Sequence, residues 1–513
     1  MGSSTFSKTT FLVFIFCCSF GSSAFAQAGM LDNSFGNGGV VETTLGNYYD
    51  RIRSLALQSD GKILVTGNHN NGSSSNIALL RYNSNGSLDN TFGTGGVVYT
   101  DIAGYDEGEV VCVQADNKIV VAGNTQDANK DFLLARYQTN GDLDSSFGTA
   151  GKVITDLGSG YDVVRAMVVL PSGKILVGGD YASATNLDCA LVRYNTNGTL
   201  DNTFGNAGLV TTDISNANNT LKGLAVETNG NIVVAGECPG LNGLDFAVMM
   251  YNSNGTLEAT FGTGGIVKTS LSNKNDSPRA IALQADGKIV VAGEVTDAAF
   301  LQHIAAVRYN TDGSPDNTFG DGGIVTDSIT SYDDLVSSVA VQPDGNILIS
   351  GTSYSSNKRV FSLLRYETDG SADGSFGTVG MVVSYIGAKN GYSNSMALQT
   401  DGKIILAGYA DSTNTPSHFA LARYTSDITA IEKTEDPEER IFVYPNPASH
   451  TATFQMADES CIGKQLTICN ALGAIVIKQT IGSKRETVPL SLPNGIYFYQ
   501  LPNANPAKLV IQQ

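Results

Sequence analysis

The sequence predicts an all-β chain: a seven-bladed β-propeller with the N-terminal strand closing the last blade, followed by a small β-sandwich C-terminal domain. Three recurring phrases predict it. L-D-x-x-F-G, or a one-residue variant of it, occurs seven times, with its aromatic at Phe35, Phe92, Phe147, Phe204, Phe261, Phe319 and Phe376, a spacing of 55 to 58 residues. An apolar run, a D-G-type turn and K-I-x-V-x-G recur with the turn residue at Gly61, Asn117, Gly173, Gly230, Gly287, Gly345 and Gly402. The third phrase ends in Arg-Tyr at Tyr82, Tyr137, Tyr194, Tyr309, Tyr366 and Tyr424, with Met250-Tyr251 as the variant. Repetition at this period marks stacked supersecondary units.

Within the first unit, Leu55 to Gln58 stops at Asp60-Gly61, a pair suited to a two-residue hairpin, and Ile63-Leu64-Val65 resumes beyond it. A polar loop leads to Ile77 to Tyr82, then Asn85-Gly86 turns the chain into a longer outer strand, Leu88 to Thr100, punctuated by glycine. Four antiparallel strands per unit make a propeller blade. The seventh unit supplies only three strands after Met396, because the chain leaves at Tyr424. Leu31 to Thr44 carries L-D-x-x-F-G before any inner strand exists, so it can complete the last blade and leave few open sheet edges. A linear solenoid would need terminal caps, and none is visible.

Residues 1–26 have the pattern of a signal peptide: Lys8 in a basic start, an apolar run from Phe11 to Phe20, and the cleavage site Ala24-Phe25-Ala26. Phe16 stands before Cys17 where a lipidation signal wants a small residue, so Cys17 and Cys18 belong to the leader. No later stretch reaches the roughly 20 apolar residues of a membrane helix. A net charge of −18 argues against nucleic acid and anionic membrane as partners, since both need clustered Lys and Arg. Cys112, Cys189, Cys238, Cys461 and Cys469 remain after cleavage; none has metal-ligand spacing, and their pairing stays open.

The phrases D-G-K-I-x-V-x-G, L-x-R-Y and L-D-x-x-F-G closely resemble those of the delta-60 repeat family, relatives of secreted NHL-type propellers, over Leu31 to Tyr424 of the ring 27–424. The resemblance implies a scaffold and carries no catalytic residue. Residues 425–440, rich in Glu432, Glu435, Asp436, Glu438 and Glu439, form a solvated linker. Residues 441–513 resemble the type A C-terminal sorting domain of the type IX secretion system, through Tyr444-Pro445-Asn446-Pro447, the strand after Gly473, Leu492 to Tyr497 and the terminal Lys508-Leu509-Val510-Ile511. That resemblance implies the secretion machinery as a partner and a secreted or outer-surface location, with the module removed afterwards.

Arg and Asp of the repeats change together. Arg81 goes with Asp89, Arg136 with Asp144, Arg193 with Asp201, Arg308 with Asp316 and Arg365 with Asp373, whereas Met250 is followed by Glu258. A three-residue turn would set each pair across from one another, so an intra-blade ion pair is expected, with Arg423 meeting Asp32 across the closure. Asp50, Asp106, Asp162, Asp276 and Asp334 share one register ahead of the inner strands, with Asn219 and Gly391 in the other units. They are candidates for a calcium ring at the channel mouth, or they end a loop by bonding nearby N–H groups, the preferred reading. No catalytic residue and no cofactor-binding motif is found: His69, His303, His418 and His450 are scattered, and no H-E-x-x-H, G-x-S-x-G or P-loop is present. The expected function is that of a monomeric, non-enzymatic scaffold binding a glycan, peptide or surface protein through its variable loops, Asn68 to Asn76, Asp180 to Cys189 and Glu237 to Asp245. The alternative is an extracellular polysaccharide-acting enzyme, a hydrolase or lyase.

Overall fold

Turn residues set the strand pairing in every repeat. In the first, the inner strand Asp50–Leu57 and the second strand Ile63–Asn70 meet through Ser59, Asp60 and Gly61. Gln58 N–H donates to the Lys62 carbonyl at 2.9 Å and Gly61 N–H to the Gln58 carbonyl at 3.0 Å. The loop thus holds three residues, not the two the dipeptide suggests. The Asp60 carboxylate accepts the Lys62 N–H at 3.1 Å, and only Gly61, at φ +82°, takes the left-handed conformation. The turn at Asn83–Ser87 repeats this geometry around Gly86.

The computed structural model describes residues 28–426, apart from 47, 127–128, 159 and 414–416, and residues 441–511, apart from 445–447, 457–460, 471–474 and 502–506. The leader 1–26 and most of the linker 425–440 lie outside the described residues. The chain divides into two units, Met1–Thr429 and Ala430–Gln513.

Strand lengths depart from the hydrophobic pattern in two places. Ile63–Asn70 pairs with Ser75–Tyr82, Ile175–Ala182 with Leu187–Tyr194, and Ile232–Pro239 with Leu244–Tyr251. The three variable loops are therefore only 71–74, 183–186 and 240–243, because backbone pairing continues after the buried apolar stretch has ended. The outer strand, by contrast, is only Val97–Thr100. Leu88 to Gly96 is a folded loop in which Gly93, Gly95 and Gly96 have positive φ and Gly96 N–H donates to the Phe92 carbonyl at 2.9 Å. This loop turns Phe92 fully inward.

Among the described residues of the first unit, seven four-stranded sheets result, those of the first two repeats being joined by a parallel bridge between Ser75 and Tyr105. The last takes Gly391–Leu398, Ile404–Ala410 and His418–Tyr424 from the seventh repeat and Val40–Thr43 from the N-terminal segment, with Val40 opposite Ala422. The chain break falls in a turn. Ala28 and Gly29 stand where the other sheets have Asn-Gly or Asp-Gly: Gly377 N–H donates to the Ala28 carbonyl at 3.0 Å, as Gly93 N–H does to that of Asn140 at 2.8 Å.

The apolar cores lie between neighbouring sheets. Leu64, Leu79 and Phe92 of the first pack with Val111, Val121 and Tyr137 of the second. Phe35, Leu421 and Ile405 of the last sheet pack with Ile52 and Val65 of the first, and Asn394 Nδ2 donates to the Ile52 carbonyl at 2.6 Å, so the succession closes on itself. The second unit is a β-sandwich of one sheet of three strands and one of four around Phe454, Ile468, Val488 and Leu509. No helix in the described residues is long and apolar enough to cross a membrane.

Glycine in the second turn has two duties. Gly141 has φ +96°, and a Cβ there would lie 2.8 Å from Val98 and 3.1 Å from both Gly93 N and the Phe92 ring of the preceding sheet. Gly95, at φ +64°, has open space around it. Thermal and urea unfolding should show Gly141→Ala losing at least about 2 kcal/mol, from strain and overpacking together, and Gly95→Ala about 1 kcal/mol from strain alone. Equal losses would remove the close inter-sheet approach from the account.

Candidate functional site

On the face carrying the D-G and N-G turns, a buried charge cluster recurs. Arg Nε lies 2.7 Å from Asp89 at Arg81, 2.8 Å from Asp144 at Arg136, 2.6 Å from Asp201 at Arg193, 2.7 Å from Asp316 at Arg308 and 2.8 Å from Asp373 at Arg365; Arg423 lies 2.8 Å from Asp32. Each guanidinium carbon sits 4.4 to 4.6 Å over the centre of the phenylalanine ring of its own phrase, Phe92 under Arg81 and Phe35 under Arg423 among them. Arg Nη1 then crosses to the next sheet: Arg81 donates to the Thr139 carbonyl at 2.5 Å, Arg308 to that of Thr368 at 2.6 Å and Arg423 to that of Ser84 at 2.5 Å. The cluster is an inter-blade clamp as well as an intra-blade pair.

Two of its members escaped the sequence reading. The lysine of D-G-K-I reaches the same carboxylate: Lys62 to Asp89 at 2.8 Å, Lys118 to Asp144 at 3.0 Å, Lys174 to Asp201 at 2.7 Å, Lys288 to Asp316 at 3.0 Å and Lys403 to Asp32 at 3.1 Å. The tyrosine of Arg-Tyr bonds the side chain ending the preceding outer strand, a hydroxyl in most repeats, as Tyr82 does Thr43 and Tyr194 Thr155, each at 2.8 Å, and the Asp327 carboxylate for Tyr366. The signal was present, a Tyr and a Thr recurring 37 to 40 residues apart in five repeats, but it needed the ring geometry to be recognised. Burial works against ionisation of Asp89, Asp144, Asp201 and Asp316, yet the bonds from Lys, Ser or Thr and Arg outweigh it and hold these carboxyls well below the ordinary range; Asp32 is lowered to about 2.

On the opposite face, Asp50, Asp106, Asp162, Asp276 and Asp334 are fully buried, each at the entry to its own inner strand. Asp106 accepts Ile102 N–H at 2.6 Å, Asp162 accepts Leu157 N–H at 3.1 Å, Asp276 accepts Leu271 N–H at 2.6 Å and Asp334 accepts Ile329 N–H at 2.9 Å, while Asp50 lies 2.6 Å from His69 Nδ1. Burial pushes the carboxyls of Asp50, Asp106 and Asp162 up. Among the described residues the acidic oxygens that come together are those of Asp131, Asp156 and Asp162, within 4.8 Å of one another. Only one of the five belongs to that trio, so the five do not assemble a shared calcium ring.

Each inner strand also carries a one-residue bulge, at Arg53, Glu109, Arg165, Lys222, Arg279, Ser337 and Asn394. A bulge re-aims one side chain, and a strict period of two hides it. Arg165 pairs with Asp180 at 2.8 Å, Lys222 with Glu237 at 3.2 Å and Arg279 with Glu294 at 2.7 Å. Asp180 also accepts Leu221 N–H and Glu294 accepts Val336 N–H of the following blade, at 2.9 and 2.8 Å. Glu109 lies 3.9 Å from Arg53, and burial pushes its carboxyl up. Directly before three of the buried aspartates stand Tyr49, Tyr105 and Tyr161, which are 56%, 53% and 54% exposed.

Six segments, residues 58–92, 114–147, 170–204, 284–319, 342–376 and 399–427, match the domain of unknown function DUF5122, a β-propeller family, and residues 442–512 match the secretion system C-terminal sorting domain. The chain carries DUF5122 β-propeller repeats. Its sorting domain directs secretion by the type IX system to the cell surface or the extracellular space. The repeat holding Met250 and Glu258 is not among the matched segments of this ring. Among solved structures, PorZ, a surface component of the type-IX secretion system of Porphyromonas gingivalis, is 11% identical with a TM-score of 0.41, the likeness covering 92% of this chain and 60% of PorZ. This chain therefore spans less than two thirds of that protein. A family PL25 ulvan lyase is 13% identical with a TM-score of 0.44, over 75% of this chain and 94% of the lyase. Sqt1 of Chaetomium thermophilum, bound to the N-terminus of ribosomal protein L10, is 11% identical with a TM-score of 0.40, over 73% of this chain and 97% of Sqt1. No curated protein matches the chain. At these identities no residue role passes to it from the solved structures.

The clamp carboxyls have folded-state values below the roughly 3.9 of an unfolded aspartate. Their contribution is thus complete above about pH 4 and lost as the pH falls toward and below about 2, while Asp50, Asp106 and Asp162, with raised values, act in the opposite sense. Acid unfolding should therefore be shifted to higher pH and weakened in slope by Asp144→Asn. In urea at neutral pH, Asp144→Ala should cost about 3–5 kcal/mol by leaving Arg136 buried and unpaired. Glu258→Ala, which breaks no ion pair, should cost less than about 0.5 kcal/mol.

Proposed function

We propose that the exported ring is a non-enzymatic binding scaffold, a monomer that holds a glycan, peptide or other surface protein on the face opposite the clamps. The exposed tyrosines carry this reading. Tyr49, Tyr105 and Tyr161 occupy one register on three successive blades, and Tyr48, Tyr332 and Tyr385 are also exposed. A large aromatic ring left in water gains nothing for the fold, whereas a rigid aromatic body with a hydroxyl tip offers contact area and a hydrogen bond at low entropic cost. The frame beneath them is stiff: Asp50 N–H donates to Ser417 of the preceding blade at 2.9 Å, Asp162 N–H to Lys130 at 2.7 Å and Asp334 N–H to Gln302 at 2.9 Å. Around them, Tyr354 meets Tyr332 edge-on at 5.0 Å, Tyr392 stacks on Tyr409 at 4.6 Å, and the Arg51 guanidinium lies 5.0 Å from the Tyr409 ring.

The enzyme alternative draws support from Glu109. A carboxyl with raised proton affinity beside the bulge arginine Arg53 has the character of a general acid. Glycan and peptide arrays, probed with the mature chain and with the triple variant Tyr49→Ala/Tyr105→Ala/Tyr161→Ala, separate the readings. Saturable binding that weakens at least tenfold in the triple variant, with its unfolding temperature unchanged and no shortened polysaccharide products, supports the scaffold. Product release that disappears in Glu109→Gln supports the enzyme.

A further inference from the structure

The fourth repeat has lost every cation of the clamp. Asn231 stands where five other blades place the lysine, and Met250 where six place the arginine, while the acid is retained as Glu258 and the ring as the buried Phe261. What the guanidinium touches elsewhere is still present. In the other blades Nε meets the carboxylate, and Nη2 faces the Ser or Thr two residues after it, as Arg308 faces Thr318 at 3.2 Å. Nη1 takes the carbonyl two residues past the next blade's Arg-Tyr, as Arg308 takes that of Thr368. The counterparts here are Glu258, Thr260 and Thr311. Glu258 keeps its bond from the Thr260 hydroxyl at 2.8 Å, and among the described residues no Lys or Arg lies within ion-pair distance of it.

These three residues line one open cleft of about 1320 Å³ together with Asn231, Met250 and Gln342. An open cleft that keeps the acid, the hydroxyl and the carbonyl that bind a guanidinium in the other blades, but not the cation, calls for a donor-rich, positively charged occupant.

We propose that this cleft binds the guanidinium group of an arginine side chain presented by a partner polypeptide, in the place that the chain's own arginine fills in the other six blades. The methylene by which Glu258 exceeds Asp sets its carboxylate further from the backbone, toward a group arriving from outside, and planar bidentate recognition favours guanidinium over ammonium. The site lies on the clamp face, distinct from the tyrosine-bearing loops, and stands or falls independently of them.

The test uses the mature chain with ¹³C-methyl-labelled methionine, the Met250 signal being assigned with Met250→Leu, and titrates acetyl-Gly-Arg-Gly-amide against the same peptide with citrulline for arginine. The expected result is a saturable shift of the Met250 methyl with the arginine peptide alone, an affinity reduced about tenfold or more in Glu258→Gln, and, by titration calorimetry, binding of the arginine peptide by the parent but not by the double variant Met250→Arg/Glu258→Asp, which has no methyl at residue 250 to observe. That variant should unfold at a higher temperature than the parent, which excludes misfolding as the cause of lost binding. Equal responses to the two peptides, no Met250 response at tens of millimolar peptide, or undiminished binding by the double variant would overturn the proposal.

Discussion

The ring depends on a buried guanidinium shared between adjacent blades. Propeller blades are separate sheets, so few backbone ladders tie one to the next, and apolar packing between them is non-directional. An arginine that bonds an aspartate of its own blade and a backbone carbonyl of the following one supplies direction. Its burial costs solvation, and Arg365 is fully enclosed, but every face of the charge is answered by carboxylate, hydroxyl, ring or carbonyl. Any other register would leave that charge unpaired, so the clamp specifies which arrangement of the blades is allowed more than it adds net stability.

The same constraint accounts for where the chain begins and ends in the ring. A cut within a strand would leave ladder groups unpaired; a cut in the hairpin turn leaves Arg423 and Asp32 on separate segments that the clamp rejoins at 2.8 Å. Ala28 then lends its carbonyl to Gly377 in place of an asparagine or aspartate. It also accounts for the glycines of the second turn, since the following blade must pass within van der Waals contact of the clamp phenylalanine.

Much of this is written in the repeat. The Arg and Asp of each unit change together, Met250 with Glu258, because one carboxylate serves one guanidinium, and Leu31 to Thr44 carries an outer-strand phrase with no inner strand of its own. The remainder depends on neighbours that lie one blade away in space. The Nη1 bond of Arg81 goes to a backbone carbonyl, which any residue could supply, so Thr139 carries no signal. The bulge at Arg53 hides because one extra residue breaks the alternation without altering composition. Lys62 reads as a turn residue until Asp89 is seen beside it. The loops shrink to four residues because ladder bonds are indifferent to side-chain polarity.

Repetition on one face and divergence on the other divide the work of the molecule. The clamp face is nearly uniform except at the fourth blade, and the loop face bears the exposed tyrosines. The claim on which this rests is that the arginine acts across blades. Hydrogen exchange on the mature chain with Arg136→Lys tests it most directly, since lysine keeps the charge beside Asp144 but lacks the fork that reaches Thr196. The account predicts faster exchange both in the 144–151 loop of the second blade and at the Asn195–Thr199 turn of the third. Faster exchange in the second blade alone, or in neither, would contradict it.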